Sequence, residues 1–295
     1  MRRIALTDKV DSATAATTRR AEATSLQTPP LAAPPTADIE QAEDDREFVT
    51  SLARGLAVIL AFSQQKRRLS IAQVSHRTGI PRASVRRSLH TLARLGFVAA
   101  DEGRNFYLRP KILSLGHTYL SATPLSLFGQ PILDRLSELL NEACSLAILD
   151  GDDIVYLARS TSSRIMSPSL NVGSRLPAYC TSIGLVLLAH LPEDELEAYL
   201  ARVKFQAFTE WTVTSPKKLA QILKTIRQSG YAIADQQIEI GLRTLAVPVR
   251  DTSGAVVAGI NVIVQAGRVP NRDMPTQFLM ALQRAARELG AMLAP

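Results

Sequence analysis

The 295-residue chain is short of several things, and each shortage removes a class of answer. It has two cysteines, Cys144 and Cys180, in no Cys-x-x-Cys or Cys/His spacing, so neither a zinc site nor a disulfide framework is expected. A reduced, cytoplasmic setting follows as the default. No apolar run reaches the roughly 18 residues of a membrane helix, so no membrane partner is expected. The opening residues, MRRIALTDKV, lack the continuous apolar core of a secretory signal, and Asp8, Asp11 and Glu22 argue against a transit peptide. Aromatics make up only 5% of the residues, so Leu, Ile, Val and Ala must fill the core. No catalytic-triad spacing, nucleophile elbow or metal-ligand cluster appears, and no cofactor is implied.

Acid is scarce in one stretch only. Residues 48–110 carry eleven lysines and arginines against Asp101 and Glu102, a balance of +9 in a chain whose net charge is +7. Residues 1–47 are acidic overall and residues 111–295 nearly neutral. A polyanion partner for the basic block follows from this concentration of charge more firmly than from the total.

With 46% hydrophobic residues, the length predicts about two domains. Residues 1–46, rich in Ala, Thr and Pro and closing on an acidic run, read as a disordered tail. Order is expected from Phe48, where Val49, Leu52, Leu56, Ile59 and Leu60 have helical spacing. Ser70 and Gln73 form a capping-box pattern for a second helix that Gly79 ends. Pro81 opens a third helix that runs to about Leu95. Two short β-like runs around Asp101-Glu102-Gly103 then read as a hairpin. Helix, helix, turn, helix, hairpin is a winged helix-turn-helix, over residues 47–110. A linker helix covers 111–123. Residues 124–295 mix helices with β-rich runs as an α+β domain on one antiparallel sheet.

The third helix carries the chemistry. At 100° per residue, Val85, Leu89 and Leu92 form a buried stripe. Ala83, Arg87, His90 and Arg94 lie opposite, flanked by Ser84 and Arg86, with Arg82 at the helix start. A major groove admits one α-helix, and arginine pairs bidentately with guanine. Small residues at 83 and 84 let the backbone come close to the bases. Arg87 and Arg86 are the expected base readers, Arg82 a phosphate grip and Arg94 a backbone contact. Arg54, Ser70, Lys66, Arg67, Arg68 and the wing's Arg104 complete the expected DNA-binding set. The plain alternative is a solvated cationic face, but its place on the third helix, with a wing behind it, is where such a motif presents its reading surface.

The segments FVTSLARGLAVILAF and LSIAQVSHRTGIPRASVRRSLHTLARLGFV, then VGSRLPAYCTSIGLVLLAHLP and SGYAIADQQIEIGLRTLAVPVRDTSGAVVAGINVIV, resemble the IclR family of bacterial transcription factors. The resemblance covers about residues 48–293. RLPAYCTSIG is most similar to the subgroup that regulates protocatechuate and 4-hydroxybenzoate catabolism. It implies a GAF-like effector domain behind the helix-turn-helix. It also implies operator DNA and a small organic acid as partners, and homodimers or homotetramers made through the DNA-binding halves. RNA polymerase is a further partner if the protein activates, and the nucleoid is its place. Leu185 departs from the subgroup's arginine, a change expected at a surface or interface.

A small-molecule site needs an apolar concavity with a few converging polar groups. Tyr179, Cys180 and Thr181 precede an apolar helix whose free N–H groups suit a carboxylate. Asp235 and Glu239 flank a strand end, and Thr244, Asn261 and Ile263 sit in apolar strands. Arg164 and Arg175 are the cations expected to neutralise an acid. Each has a plainer role open to it as a wall, cap, turn or surface residue. Two other readings compete with the regulator. One is an architectural DNA-binding protein without a ligand. The other is an enzyme with Cys180 as nucleophile and His117 or His190 as base.

Overall fold

The computed structural model describes Ile39 and residues 45–63, 66–161 and 170–294. The basic block folds as three helices and a hairpin: α1 (Thr50–Leu60), α2 (Ile71–Thr78), α3 (Arg82–Arg94), β1 (Val98–Ala100) and β2 (Phe106–Leu108). The capping box closes in both directions. The Gln73 N–H donates to Ser70 Oγ (3.3 Å), and the Ser70 N–H donates to Gln73 Oε1 (2.8 Å). Gly79 ends α2 at φ 72°, a left-handed conformation that glycine adopts without strain. Ile80, fully buried, then turns the chain into α3, its carbonyl accepting from Ser75 Oγ (2.7 Å). The stripe of Val85, Leu89 and Leu92 is buried against α1 and α2. The wing is tied back through Leu69, which exchanges two backbone hydrogen bonds with Phe106 (2.9 and 2.8 Å).

Ile39 adds something the reading of a disordered tail misses. It is helical, 2% exposed, and packed in the same core as Val58, Val74 and Leu89. The helix-turn-helix core therefore draws on a residue upstream of 47. Ile39→Ala should lower the stability of this domain by about 2–4 kcal/mol, measured by urea unfolding. An unchanged midpoint would mean that Ile39 makes no net packing contribution.

Helices α4 (Leu113–Ala122) and α5 (Pro124–Leu140) lead to the second domain. No residue of α4 is buried, and Leu113, Leu115 and Tyr119 are exposed on it. The domain is built on a six-stranded antiparallel sheet in the order β5-β4-β3-β8-β7-β6. Its strands are β3 (Ala143–Asp150), β4 (Asp153–Ser160), β5 (Arg175–Pro177), β6 (Ala232–Asp235), β7 (Leu242–Arg250) and β8 (Val256–Gln265). Strand alternation sends Leu146, Ile260 and Val262 to one face, where α5 and the last helix, α9 (Met280–Gly290), cover them. The other face receives α6 (Ser182–Ala189), with α7 (Glu193–Arg202) and α8 (Pro216–Ser229) outside it. All eight residues of α6 are buried. Leu185 is one of them, at 1% exposure, so the departure expected at a surface or interface falls in the core instead.

Candidate nucleic-acid interface and ligand cavity

On α3, Arg82, Ala83, Arg86, Arg87, His90 and Arg94 are exposed and Ser84 is half-buried. None of these arginines has an acidic partner among the described residues. Arg87 and Ser84 also border a groove between α1 and α3 that contains Arg54, Leu52, Leu56 and Leu95. Arg104 is exposed at the wing tip with φ 59°, in a turn held by the Asn105 N–H donating to Asp101 Oδ1 (2.8 Å). Arg68 does not stand free with Lys66 and Arg67. It bonds Asp101 (2.9 Å) and lies over the Tyr107 ring (4.8 Å), and so braces the wing. Backbone donation from Asn105, with Arg68 beside it, holds the Asp101 carboxyl below the usual carboxylate range. Ser70 accepts from Gln73, which leaves its hydroxyl proton free to donate outward.

The second site lies between the sheet and the start of α6. A cavity of about 680 Å³, counted out to its mouth, is lined by residues of β3, β4, β6, β7 and β8, the start of α6, and the turn joining β6 to β7. Six of the nine expected effector residues border it: Cys180, Thr181, Glu239, Thr244, Asn261 and Ile263. Thr181 is committed to structure. It caps α6, its Oγ1 accepting from the Gly184 N–H (3.1 Å). Burial pushes the Cys180 thiol far up.

Two expected residues among those described do not take part in the cavity wall. Tyr179 is buried outside it, its hydroxyl donating to the Gln206 carbonyl (2.7 Å) and accepting from the Gln206 N–H (2.8 Å). Asp235 is turned to Arg243 (2.8 Å), because the two face each other in the β6–β7 register. Arg164 lies outside the described residues. Arg175 is also withdrawn, held by Asp150 and by Asp153 (3.2 Å) at the β3–β4 turn.

Among the described residues, the cation that does line the cavity is Arg159 on β4. It stands opposite Ser145 on β3, and Ser145 opposite Asn261 on β8, so the three form one cross-strand row on the α6 face. Each has a buried polar atom without a hydrogen-bond partner: Arg159 Nη1, Ser145 Oγ and Asn261 Oδ1. Asn261 reaches Ser182 Oγ at 3.5 Å from its amide nitrogen. Arg159 lies over the Tyr156 ring (4.9 Å) and has no acidic partner among the described residues. Burial lowers its pKa, though arginine remains charged at any ordinary pH. A buried donor is normally paired, so this half-buried cation, with Nη1 buried and unpartnered, is arranged to receive an anion. The free N–H groups at the start of α6 add positive potential at the same end. Among the described residues, no helix is long and apolar enough to cross a membrane, and no three metal-ligating side chains gather.

The two halves match known proteins separately and together. A family profile described as IclR helix-turn-helix domain matches residues 51–102, and one described as Bacterial transcriptional regulator IclR C-terminal matches residues 117–291. The Pca regulon regulatory protein of Pseudomonas putida is 49% identical over 268 residues, 90% of this chain and 92% of that protein. The crystal structure of a transcriptional regulator from Rhodococcus sp. RHA1 is 43% identical, with a TM-score of 0.74 over 83% of this chain and 98% of the other. The inducer-binding domain of the Acinetobacter transcription factor PobR, a double mutant in complex with 3-hydroxybenzoic acid, is 29% identical. Its TM-score is 0.53, over 56% of this chain and 96% of that domain. The first profile falls on the three helices and β1 of the basic block, and the second on α4 to α9 with the six-stranded sheet. The chain belongs to the IclR family of bacterial transcriptional regulators.

Proposed function

We propose that the protein controls aromatic-acid catabolism by binding operator DNA through α3 and an aromatic acid in the sheet cavity. The observation that carries this reading is the Arg159–Ser145–Asn261 row, each with a buried unpartnered polar atom, of which Arg159 and Asn261 line one apolar cavity. A benzoate-type acid supplies a carboxylate to the row and a flat ring to the apolar walls. The relative from Pseudomonas putida is named for the Pca regulon, and the PobR inducer domain is in complex with 3-hydroxybenzoic acid. The latter supports an aromatic acid here. A thermal-shift series with aromatic acids tests it, since a ligand that binds only the folded state raises the melting temperature. No shift with any of them would overturn it.

On DNA, Arg87 and Arg86 read bases, Arg82, Arg54, Ser70 and Arg104 hold phosphates, and Ala83, Ser84 and His90 sit at the groove floor. Arg87→Ala should cost about 1–3 kcal/mol at one base position and relax specificity there. Arg67→Ala should weaken all sequences alike and flatten the salt dependence. Operator-variant titrations separate the two. Uniform loss with Arg87→Ala would make it a phosphate contact. The protein works as a homodimer or homotetramer in the cytoplasm. Val49, Leu52, Leu56 and Leu95, exposed around the α1–α3 groove, are the apolar surface for pairing DNA-binding halves. Effector binding favours one placement of the paired halves, and α4 transmits it, because an operator accepts one half-site spacing. RNA polymerase is the further partner if the output is activation. The enzyme reading has no support in the site. The Cys180 thiol is buried and donates weakly to the Pro177 carbonyl (3.7 Å), while His190 Nδ1 pairs with the Val186 carbonyl (2.8 Å).

A further inference from the structure

The helices between the two domains are fastened at both ends by side chains that belong to neither site. At the helix-turn-helix end the fastener is Lys111. Its Nζ donates to the carbonyl of Leu95, the C-cap residue of α3 (2.8 Å), and lies over the Phe97 ring (5.0 Å). The Arg109 N–H donates to the Phe97 carbonyl (2.8 Å). The Lys111 carbonyl accepts from Ser114 Oγ (2.8 Å) in the first turn of α4. One residue therefore grips the end of the recognition helix with its side chain and the start of the linker with its backbone. Among the described residues, the side-chain hydrogen bonds of Thr118 and Ser121 on α4 stay within that helix.

At the sheet end the fastener is Gln130 on α5. A single residue outside either helix, Thr123, joins α4 to α5, and Pro124 follows it at once. Thr123 Oγ1 donates back to the Tyr119 carbonyl (2.7 Å), so the junction has little slack. A Cβ on Gly129 would overlap the Leu146 side chain on β3, which shows how closely α5 is seated on the sheet. Next to it, Gln130 Nε2 donates to the Arg159 carbonyl (3.0 Å), and Gln130 Oε1 accepts from the Arg159 N–H (3.3 Å). The side chain thus holds, in both directions, the backbone of the residue whose guanidinium lines the cavity.

We infer that Gln130 and Lys111 are positioning residues that carry the effector signal to the recognition helix. A shift of β4 on ligand entry moves α5 through Gln130, and the linker moves the end of α3 through Lys111. This rests on the reading of the cavity as an effector site. A contact transmits no more than it is worth before it gives way. A cation at a helix C-terminus and a cation–π contact are each worth a factor of about two to five at an exposed site, so Lys111 carries on the order of a tenfold effect.

Fluorescence anisotropy of labelled operator DNA, titrated with the full chain in the absence and presence of 4-hydroxybenzoate or protocatechuate, tests this. Lys111→Met, which keeps the packing on Phe97 and removes the charged donor, should shrink the acid-induced change in operator affinity roughly tenfold, or abolish a smaller one. Its operator affinity without acid should match the wild type. Lys111→Arg should restore most of the response, since a guanidinium reaches the same carbonyl and ring. Gln130→Leu should also lose response while still binding the acid in calorimetric titration. Lys111 is exposed, so its variants keep the test valid if Gln130→Leu folds poorly. A full wild-type response in either variant overturns the assignment of that residue and leaves the effector reading standing. Loss of acid-free operator binding in Lys111→Met as large as its loss of response would make Lys111 a plain support of α3. If neither acid changes operator binding by the wild type, the effector reading fails and the inference with it.

Discussion

Replacing Arg159 with alanine should weaken aromatic-acid binding by about 30- to 150-fold, the value of a charge-assisted hydrogen-bond pair, and leave operator binding by the unliganded protein unchanged. The size follows from where the group sits. An exposed arginine contributes little to anion affinity because water competes on equal terms. Arg159 is held in the cavity wall beside Tyr156, with Nη1 buried and unpartnered, so a carboxylate arriving there replaces no bound partner. Arg159→Lys should rescue only part of the loss, since an ammonium offers no planar fork to a carboxylate. The stability of the unliganded protein is the decisive second readout. A guanidinium nitrogen buried without a partner costs the empty protein, so Arg159→Met, which keeps most of the volume, should melt no lower than the wild type. A variant that loses stability together with binding would mark Arg159 as a structural residue, and the acid site would have to be placed elsewhere.

The residues that were legible in the sequence were those whose role is local. Ser70 with Gln73, Gly79 and Pro81 place three helix ends by chemistry that acts within four residues, and the capping box forms as read. The Val85, Leu89 and Leu92 stripe follows from helical period alone. Asn261 stood out because an amide inside an apolar strand needs partners, and it does border the cavity. Arg159 escaped for a specific reason. Strict alternation along β4 puts it on the face of Val155 and Leu157, away from Tyr156. The register shifts between Leu146 and Ala147, Leu157 becomes the extra residue, and the phase reverses, so Arg159 joins Tyr156 on the α6 face. A bulge leaves no mark in composition or spacing. Asp235 and Arg243 were separable only by register, which brings them opposite each other across β6 and β7. Ile39 was hidden because a single apolar residue in a proline- and alanine-rich stretch has no periodicity to report it.

The close seating of α6 leads to the other large effect. Gly184→Ala should destabilise the sheet domain by about 2–4 kcal/mol, even though alanine is worth ~1 kcal/mol more than glycine inside a helix. Propensity loses because of what the methyl group would meet. A Cβ on Gly184 overlaps the carbonyl oxygen and Cα of Ala178, which are backbone atoms and cannot rotate away. Ala178 is itself fully buried, and its N–H donates to the Asp152 carbonyl (3.0 Å), so the segment that would have to yield is pinned to the β3–β4 turn. The alternative is for α6 to move, but Ile183 is already packed against Gly259 on β8. Either adjustment shifts Thr181 and Ser182, which line the cavity, so the effector response should fall further than stability alone explains. Gly116→Ala is the matched control. It lies in exposed α4, where a Cβ meets nothing within 4 Å, so propensity acts alone and the variant should melt slightly higher. Thermal unfolding of the two variants side by side separates helix propensity from seating. Equal or raised stability for Gly184→Ala would show that α6 is free to lift from the sheet, and that the cavity has no fixed roof.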